Sequence, residues 1–269
     1  MYAEWIRKHL RAKREELAAF WEGSRPVKHF IVDDLLPESL ALEIAREFPA
    51  RESLKHLRSL RESKRVGTDM DAYHPSLSEI TFAFQDRGVL AEVEQITGIT
   101  ELNADERLYS SGISSMGNGD FLQPHIDNSG NPFLKQYRRV NALYYVSPGW
   151  RPGLGGELEL WDGKRANPLA LEPRFNRVIF MNTNRTSFHS VRPLACGKDF
   201  ARNCVSNYYF SPLSPEGYEY SHVTSFRGRP ENPVADALLR LDGSIRNALR
   251  KLKPRKPEEI KHVYRKGEG

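Results

Sequence analysis

The sequence predicts a mainly β protein with supporting helices (α+β), an antiparallel barrel or jelly roll flanked by helical segments. Three observations predict it. After residue 105, eight short β-like runs alternate with Gly, Pro and Asn punctuation. Before that stretch, and again near the C-terminus, apolar residues recur at helical spacing. The 269 residues are 39% hydrophobic, 28% charged and 10% aromatic, an ordinary globular composition that excludes wholesale disorder, collagen and coiled coil. A chain of this length buries a core that needs no staples.

Residues 2–21 read as a helix on Trp5, Ile6, Leu10, Leu17, Phe20 and Trp21, broken by Ser24-Arg25-Pro26. Residues 29–32 are a short strand. Residues 37–48 form a second helix with Leu40, Ile44 and Phe48 on one stripe, stopped by Pro49. Residues 50–78 are polar, with Gly67 and Pro75 as breakers, and are expected to be a mobile loop or lid near a site. A helix within 78–96 ends at Gly98. The β-like runs are 108–114, 121–126, 141–147, 157–161, 169–172, 177–181, 187–191 and 203–210. A last helix spans 233–252 on Val234, Leu238, Leu241, Ile245, Leu249 and Leu252, and Lys253-Pro254-Arg255-Lys256-Pro257 ends it in a frayed tail. The expected division is 1–104, a helical support region with a lid; 105–212, the jelly-roll core; and 213–269, a helix and basic tail.

The net charge of +5 is unevenly placed. From Arg240 to Gly269 there are ten Lys/Arg and four Asp/Glu, a surplus of six, which leaves the rest of the chain at −1. A basic end of this kind is a solvated tail in most chains, and a nucleic-acid partner would want basic residues across the folded face. No window of about 18 apolar residues exists and no signal-peptide core fits the charged N-terminus, so a cytoplasmic protein without a membrane partner is expected. Cys196 and Cys204 are too few for a disulfide scaffold or a Cys-based zinc site, and read as reduced packing thiols.

The segment that carries chemistry is Phe121-Leu-Gln-Pro-His125-Ile-Asp127-Asn128. His125 and Asp127 lie two apart on a predicted strand, so imidazole and carboxylate point to one face. His189 lies on a later strand. Two His and one carboxylate with open coordination positions form the facial triad of non-haem Fe(II) oxygenases. Taken alone, a His-X-Asp pair is a weak signal, since a lone His is more often packed or on the surface. The remaining histidines have no partner at ligand spacing. Arg202 opens a strand thirteen residues after His189. A fixed cation inside a barrel is costly unless paired, and a dicarboxylate cosubstrate would pair it bidentately. A surface strand-end arginine is the competing reading.

Residues 105–212, about 40% of the chain, resemble the Fe(II)/2-oxoglutarate-dependent dioxygenases, and within them the prolyl-hydroxylase-like branch. The stretches that carry the resemblance are Gly117-Asn-Gly-Asp120, Pro124-His125-Ile-Asp127-Asn128, Leu143-Tyr144-Tyr145-Val146-Ser-Pro-Gly-Trp150, Gly155-Gly156-Glu-Leu158-Glu-Leu-Trp161, Glu172-Pro173-Arg174-Phe175, His189-Ser-Val191-Arg-Pro193 and the strand from Arg202 to Phe210. The resemblance implies a double-stranded β-helix, the cupin-like jelly roll. It implies that His125, Asp127 and His189 hold Fe(II), and that Arg202 and Tyr145 hold the far carboxylate of 2-oxoglutarate. Leu158 would line that pocket, with Tyr208 and Asn141 on the substrate side. O2 is the implied oxidant and ascorbate an accessory reductant.

Two departures stand out. The family's basic residue sits nearer nine or ten residues after the second His, where this chain has Lys198. Arg202 is preferred because the strand it opens matches. Ser115 stands where relatives place a substrate-side tyrosine, which weakens the case for proline as substrate. The implied activity is hydroxylation of an unactivated C–H, with succinate and CO2 released, on a prolyl or other side chain of a protein or peptide. The alternatives are the same chemistry on a small molecule such as an amino acid, saccharide or natural-product intermediate, or a cupin-like metal-binding or sensing protein without turnover.

Overall fold

Tyr2, Ile6 and Leu10 form the buried face of α1 (Tyr2–Ala12). The next turn of that stripe carries Lys13 and Arg14, and the helix breaks there. α2 (Arg14–Gly23) restarts with Leu17 and Trp21 buried, so the single helix expected over 2–21 is two. Arg11 and Arg14 close on the buried Glu92 at 2.8 and 2.6 Å and pin the pair to the body. β1 (His29–Val32) and α3 (Glu38–Arg46) follow, near their expected bounds. The computed structural model describes residues 1–131, 133–163, 165–198, 200–252 and 263–264.

The stretch 50–78, expected as a loop or lid, contains regular structure. It forms the hairpin β2 (Lys55–Arg58) and β3 (Glu62–Gly67). β3 is a strand of the main sheet, pairing with both β4 (Gly112–Met116) and β5 (Phe121–Ile126). Polarity hid it from the sequence. Ser63 donates to Asp120 at 2.5 Å and Lys64 meets Glu62 at 3.1 Å, so these side chains find polar partners where apolar alternation would have announced a strand. The helix expected over 78–96 is also two. α4 (Pro75–Ala83) starts with proline in its first turn and His74 capping the Ser76 amide. α5 (Arg87–Thr97) is capped by Asp86 and closed by Gly98 in the left-handed region, φ 69°.

All eight predicted runs contain strands. The first is β4, displaced toward its C-terminal end because the Asp105 carboxylate accepts from the amides of Tyr109, Ser110 and Ser111, which are then unavailable to a ladder. The others are β5 and, in chain order after β6 (Gly130–Asn131), β7 (Gln136–Tyr145), β8 (Leu158–Leu160), β9 (Leu169–Leu171), β10 (Arg177–Asn182), β11 (His189–Val191) and β12 (Arg202–Ser211). With β13 (Ser225–Phe226) they make one antiparallel sheet ordered β1-β10-β7-β12-β4-β3-β5-β11-β8-β9. The sheet curls on itself. Leu158, Leu160 and Leu171 from one end pack against Ile179, Met181, Tyr145 and Cys204 from the other, which closes the jelly roll. The outer face is covered by α1–α5 through a second core in which Phe30 and Phe180 stack at 4.6 Å. Cys196 and Cys204 are buried and unpaired.

α6 (Pro233–Leu252) attaches by its polar side. Asp236 accepts from Arg227 twice at 2.8 Å and from the Gly228 amide at 2.9 Å, and Asn247 accepts from the Val223 amide at 3.1 Å. The hydrogen bonds from Arg227 hold the Asp236 carboxyl down to about 2. A depressed carboxylate contributes stability that is complete above its unfolded value and lost as pH falls through its folded one. Hydrogen-exchange protection at the Val223 and Ser225 amides should therefore fall between pH 4 and pH 2, and should already be low at pH 7 in Asp236→Asn. Unchanged protection in the variant would show that Asp236 is not the anchor. The frayed tail expected from Lys253 lies outside the described residues, apart from Val263 and Tyr264. Tyr264 is buried against Phe82 and donates to Asp71 at 2.8 Å. Among the described residues no helix is long and apolar enough to cross a membrane.

Candidate active site

β5 and β11 are ladder neighbours with His125 opposite His189, and their rings lie 4.1 Å apart. Asp127 follows at the end of β5, with carboxylate oxygens 3.5 Å from His125 Nε2 and 3.7 Å from His189 Nε2. One ligand atom from each of the three lies within 4.8 Å of the others, the spread a single metal ion can bridge. The far ring nitrogens are fixed: His125 Nδ1 meets the Gln123 carbonyl at 2.9 Å and His189 Nδ1 the Ser187 carbonyl at 3.1 Å. A carbonyl only accepts, so each Nδ1 carries the proton and each Nε2 presents its lone pair toward Asp127. Burial, aided by the neighbouring His125, lowers the His189 pKa to about 4 and keeps it a neutral ligand. Burial pushes Asp127 up, but the Arg138 guanidinium beside it outweighs burial and holds the carboxyl well below its ordinary value.

Asp127 Oδ2 is held by two residues of β7, accepting from Arg138 Nη1 at 3.0 Å and Asn141 Nδ2 at 2.9 Å. Arg138 is itself buried, donates to Asn128 at 2.6 Å and to Ser110, and lies over the Tyr208 ring at 4.4 Å. Asn141 pairs in register with Tyr208 of β12, so both residues expected on the substrate side stand beside Asp127. Asn141 Oδ1 is buried and has no partner among the described residues. Sequence reasoning missed Arg138. Strand parity puts residues 138 and 141 on opposite faces, but the register with β12 slips between Tyr209–Val140 and Phe210–Arg138. Arg139 is the extra residue of a β-bulge, which turns Arg138 to the side of Asn141.

On β12, Arg202 is 4% exposed. It donates to the Gly156 carbonyl at 2.7 Å and to Tyr145 Oη at 3.2 Å, lies over the Tyr145 ring at 4.7 Å, and turns Nη1 toward Met116 Sδ at 3.8 Å. No carboxylate of the described residues pairs with it. Tyr145 sits opposite Cys204 in the ladder and shares the inner apolar cluster with Leu158. Burial raises the Tyr145 pKa against the pull of Arg202, so its hydroxyl stays protonated and able to donate. Lys198, the other basic residue considered, is exposed, whereas Arg202 is buried. Ser115 donates to Asn203 at 2.7 Å, and its neighbour Met116 is the one at the guanidinium.

Gly155 and Gly156 shape the turn beside Arg202, both in the left-handed region at φ 71° and 82°. A Cβ on Gly155 would sit 2.2 Å from the Pro193 carbonyl oxygen. Gly155→Ala should cost at least about 2 kcal/mol, from positive φ and backbone overlap together, as a lower unfolding midpoint in urea. A midpoint within error of the parent would show that the turn can relax.

The chain crosses the mouth after β12. Ser129 and His222 exchange backbone and hydroxyl hydrogen bonds, β13 pairs with β5, and Phe226 stacks on His125 at 5.0 Å. A pocket beside Asp127 is lined by Ser129, Arg138, Thr183, Tyr220 and His222 among others. His222, which has no ligand spacing in the sequence, comes here only through the strap.

Residues 111–210 match the 2OG-Fe(II) oxygenase superfamily. The hypoxia-inducible factor prolyl hydroxylase of Caenorhabditis elegans is 30% identical over 79 residues, 29% of this chain and 10% of that protein. Human Egl nine homolog 1 is 26% identical over 113 residues, 42% of this chain and 25% of that protein. The chain thus spans at most about a quarter of these two relatives. The structure of a Trichoplax adhaerens prolyl hydroxylase, in complex with a hypoxia-inducible factor oxygen degradation domain peptide fragment, superposes with a TM-score of 0.54 at 18% identity, covering 75% of this chain and 92% of that one. At that identity the likeness establishes the fold, a double-stranded β-helix. Residues 111–210, the jelly-roll part of this chain, thus match the 2OG-Fe(II) oxygenase superfamily by sequence and share the fold of the Trichoplax prolyl hydroxylase.

Proposed function

We propose that this protein is an Fe(II)- and 2-oxoglutarate-dependent hydroxylase of unactivated C–H bonds that releases succinate and CO2. The observations that carry the reading are a cluster of three metal-ligand side chains on the jelly roll and, on the same sheet, a buried guanidinium that pairs with no carboxylate among the described residues. His125, Asp127 and His189 supply three ligands and leave positions for a chelating acid and for O2. Arg202 and the Tyr145 hydroxyl take the distal carboxylate of 2-oxoglutarate, and Leu158 closes the apolar wall beside it. Bound Fe(II) and 2-oxoglutarate supply the O2 activation; the protein positions the parts and excludes water. Asn141, whose Oδ1 has no partner among the described residues, and Tyr208 would face the substrate.

A prolyl or other side chain of a protein or peptide is the proposed substrate, in line with the named prolyl hydroxylases among the relatives. A small polar molecule is the second reading, favoured by the hydroxyl, imidazole and guanidinium lining of the pocket at Asp127. The test is anaerobic. Protein loaded with Fe(II) should develop the weak visible charge-transfer band of the chelate when 2-oxoglutarate is added, and His189→Ala should abolish it. Succinate release, with and without ascorbate, then screens substrates. Bound iron without a band would overturn the assignment of Arg202 and Tyr145 and leave a metal-binding or sensing protein.

A further inference from the structure

α6 is mounted inside out. An amphipathic helix on a protein surface normally buries its apolar stripe. Here the buried or half-buried side carries Asp236, Leu239, Asp242, Gly243, Arg246 and Asn247. The stripe of Val234, Leu238, Leu241, Ile245, Leu249 and Leu252 faces outward, each residue between 51% and 83% exposed. At ~1.5 Å per residue the stripe runs about 30 Å. It presents on the order of 600 Å² of apolar surface, at the upper limit for the largest patch of a typical monomer.

The sequence narrows what can cover it. Residues 253–262, Lys-Pro-Arg-Lys-Pro-Glu-Glu-Ile-Lys-His, hold one aliphatic side chain, Ile260, and lead to Tyr264, which is docked on Phe82 and Asp71. Its composition supplies no apolar face to match six aliphatic residues. A second copy of the helix would bring one surplus of six positive charges against another. Both acids of the helix are already engaged, Asp236 by Arg227 and Asp242 by Arg246 at 2.9 Å, so neither offers a fresh partner to those cations. An anionic surface with an apolar layer beneath satisfies the stripe and the charge together. We propose that α6 and the basic segment after it bind the surface of an anionic lipid bilayer, with α6 lying in the interface plane and its aliphatic stripe immersed. The expectation of no membrane partner rested on the lack of a spanning segment, which in-plane binding does not need. On its other side α6 holds the strap whose Phe226 lies on His125, so one helix joins the lipid contact to the candidate site.

The experiment is co-sedimentation of the full chain with vesicles of phosphatidylcholine alone or with roughly 30% phosphatidylglycerol. Binding should require the anionic lipid and weaken with added salt. Leu241→Glu/Ile245→Glu changes only exposed positions, and circular dichroism checks that the fold is kept. It should lower binding at least about tenfold. Lys251→Gln/Lys253→Gln/Arg255→Gln/Lys256→Gln should lower it with the stripe intact. The proposal is overturned if the parent protein does not sediment with anionic vesicles, or if either variant sediments like the parent. Light scattering covers the remaining occupant: a solution dimer that Leu241→Glu/Ile245→Glu dissociates, without vesicle binding, would assign the stripe to a second copy.

Discussion

Arg202→Met will weaken 2-oxoglutarate binding by at least about thirty-fold, leave metal binding in place, and not lower the stability of the metal-free protein. The guanidinium is buried with a carbonyl, a phenol and a thioether for partners and no carboxylate among the described residues. Without cosubstrate it is a buried charge without its counter-ion, a costly arrangement. Methionine keeps much of the stem volume and removes that cost, so the unfolding midpoint should hold or rise. On the proposed function, bound 2-oxoglutarate would supply the missing carboxylate. Truncating one member of such a buried pair costs about 2–5 kcal/mol, roughly thirty-fold to several thousand-fold in Kd. Calorimetric titration with 2-oxoglutarate on protein loaded with a redox-inert divalent ion reads the first effect, and thermal unfolding of the apoprotein the second. A large loss of apoprotein stability with near-parental affinity would mean that Arg202 is a structural pin.

Arg138→Met should behave in the opposite way. Arg138 supplies the countercharge that keeps Asp127 ionised in a buried place. Removing it strands a carboxylate, and breaking a buried pair from one side costs about 3–5 kcal/mol. The metal-free variant should therefore unfold at a markedly lower temperature than the parent. Co(II) or Ni(II) restores positive charge beside Asp127, so the metal-induced rise in Tm should exceed that of the parent. The pH dependence has a definite sign. The depressed Asp127 contributes stability above the unfolded carboxylate pKa and loses it as pH falls through the folded value. The gap between parent and variant should narrow in acid, where the stranded carboxylate takes up a proton. An apoprotein with parental Tm at neutral pH would sink the idea. Because Asp127 Oδ2 is held by Arg138 and Asn141, the variant also tests whether β7 orients the metal ligand.

Much of the site was legible because strand chemistry is periodic. His125 and Asp127, two apart beside a proline, announced a shared face. Arg202, Cys204 and Tyr208 fell on one side of their strand by the same parity, as did Tyr145 and Asn141 on theirs. The structure brings Asn141 and Tyr208 into register and sets Cys204 opposite Tyr145. Parity fails where the ladder slips. One extra residue, Arg139, puts Arg138 beside Asp127 against the count, and a bulge has no reliable mark in a single sequence. β3 was missed for a related reason. Its pairing comes from backbone groups, while its side chains are polar because their partners are charged.

The presence of a strand in each of the eight runs, the spacing of the three ligand-type residues, the apolar stripes of the helical segments and the concentration of positive charge after Arg240 are local quantities, set by alternation and composition over a few residues, and the chain alone determined them. Only the folded chain decided the rest: that β3 enters between β4 and β5, that Arg202 finds no carboxylate among the described residues, that His222 reaches the mouth, and that α6 turns its polar side inward. Each depends on what lies across the sheet from a residue some tens of positions away. Helical periodicity identifies the stripe from Val234 to Leu252 but not the side from which it is held. Asp236 met Arg227 and Asn247 met the Val223 amide, and those polar contacts outweighed burial of the stripe.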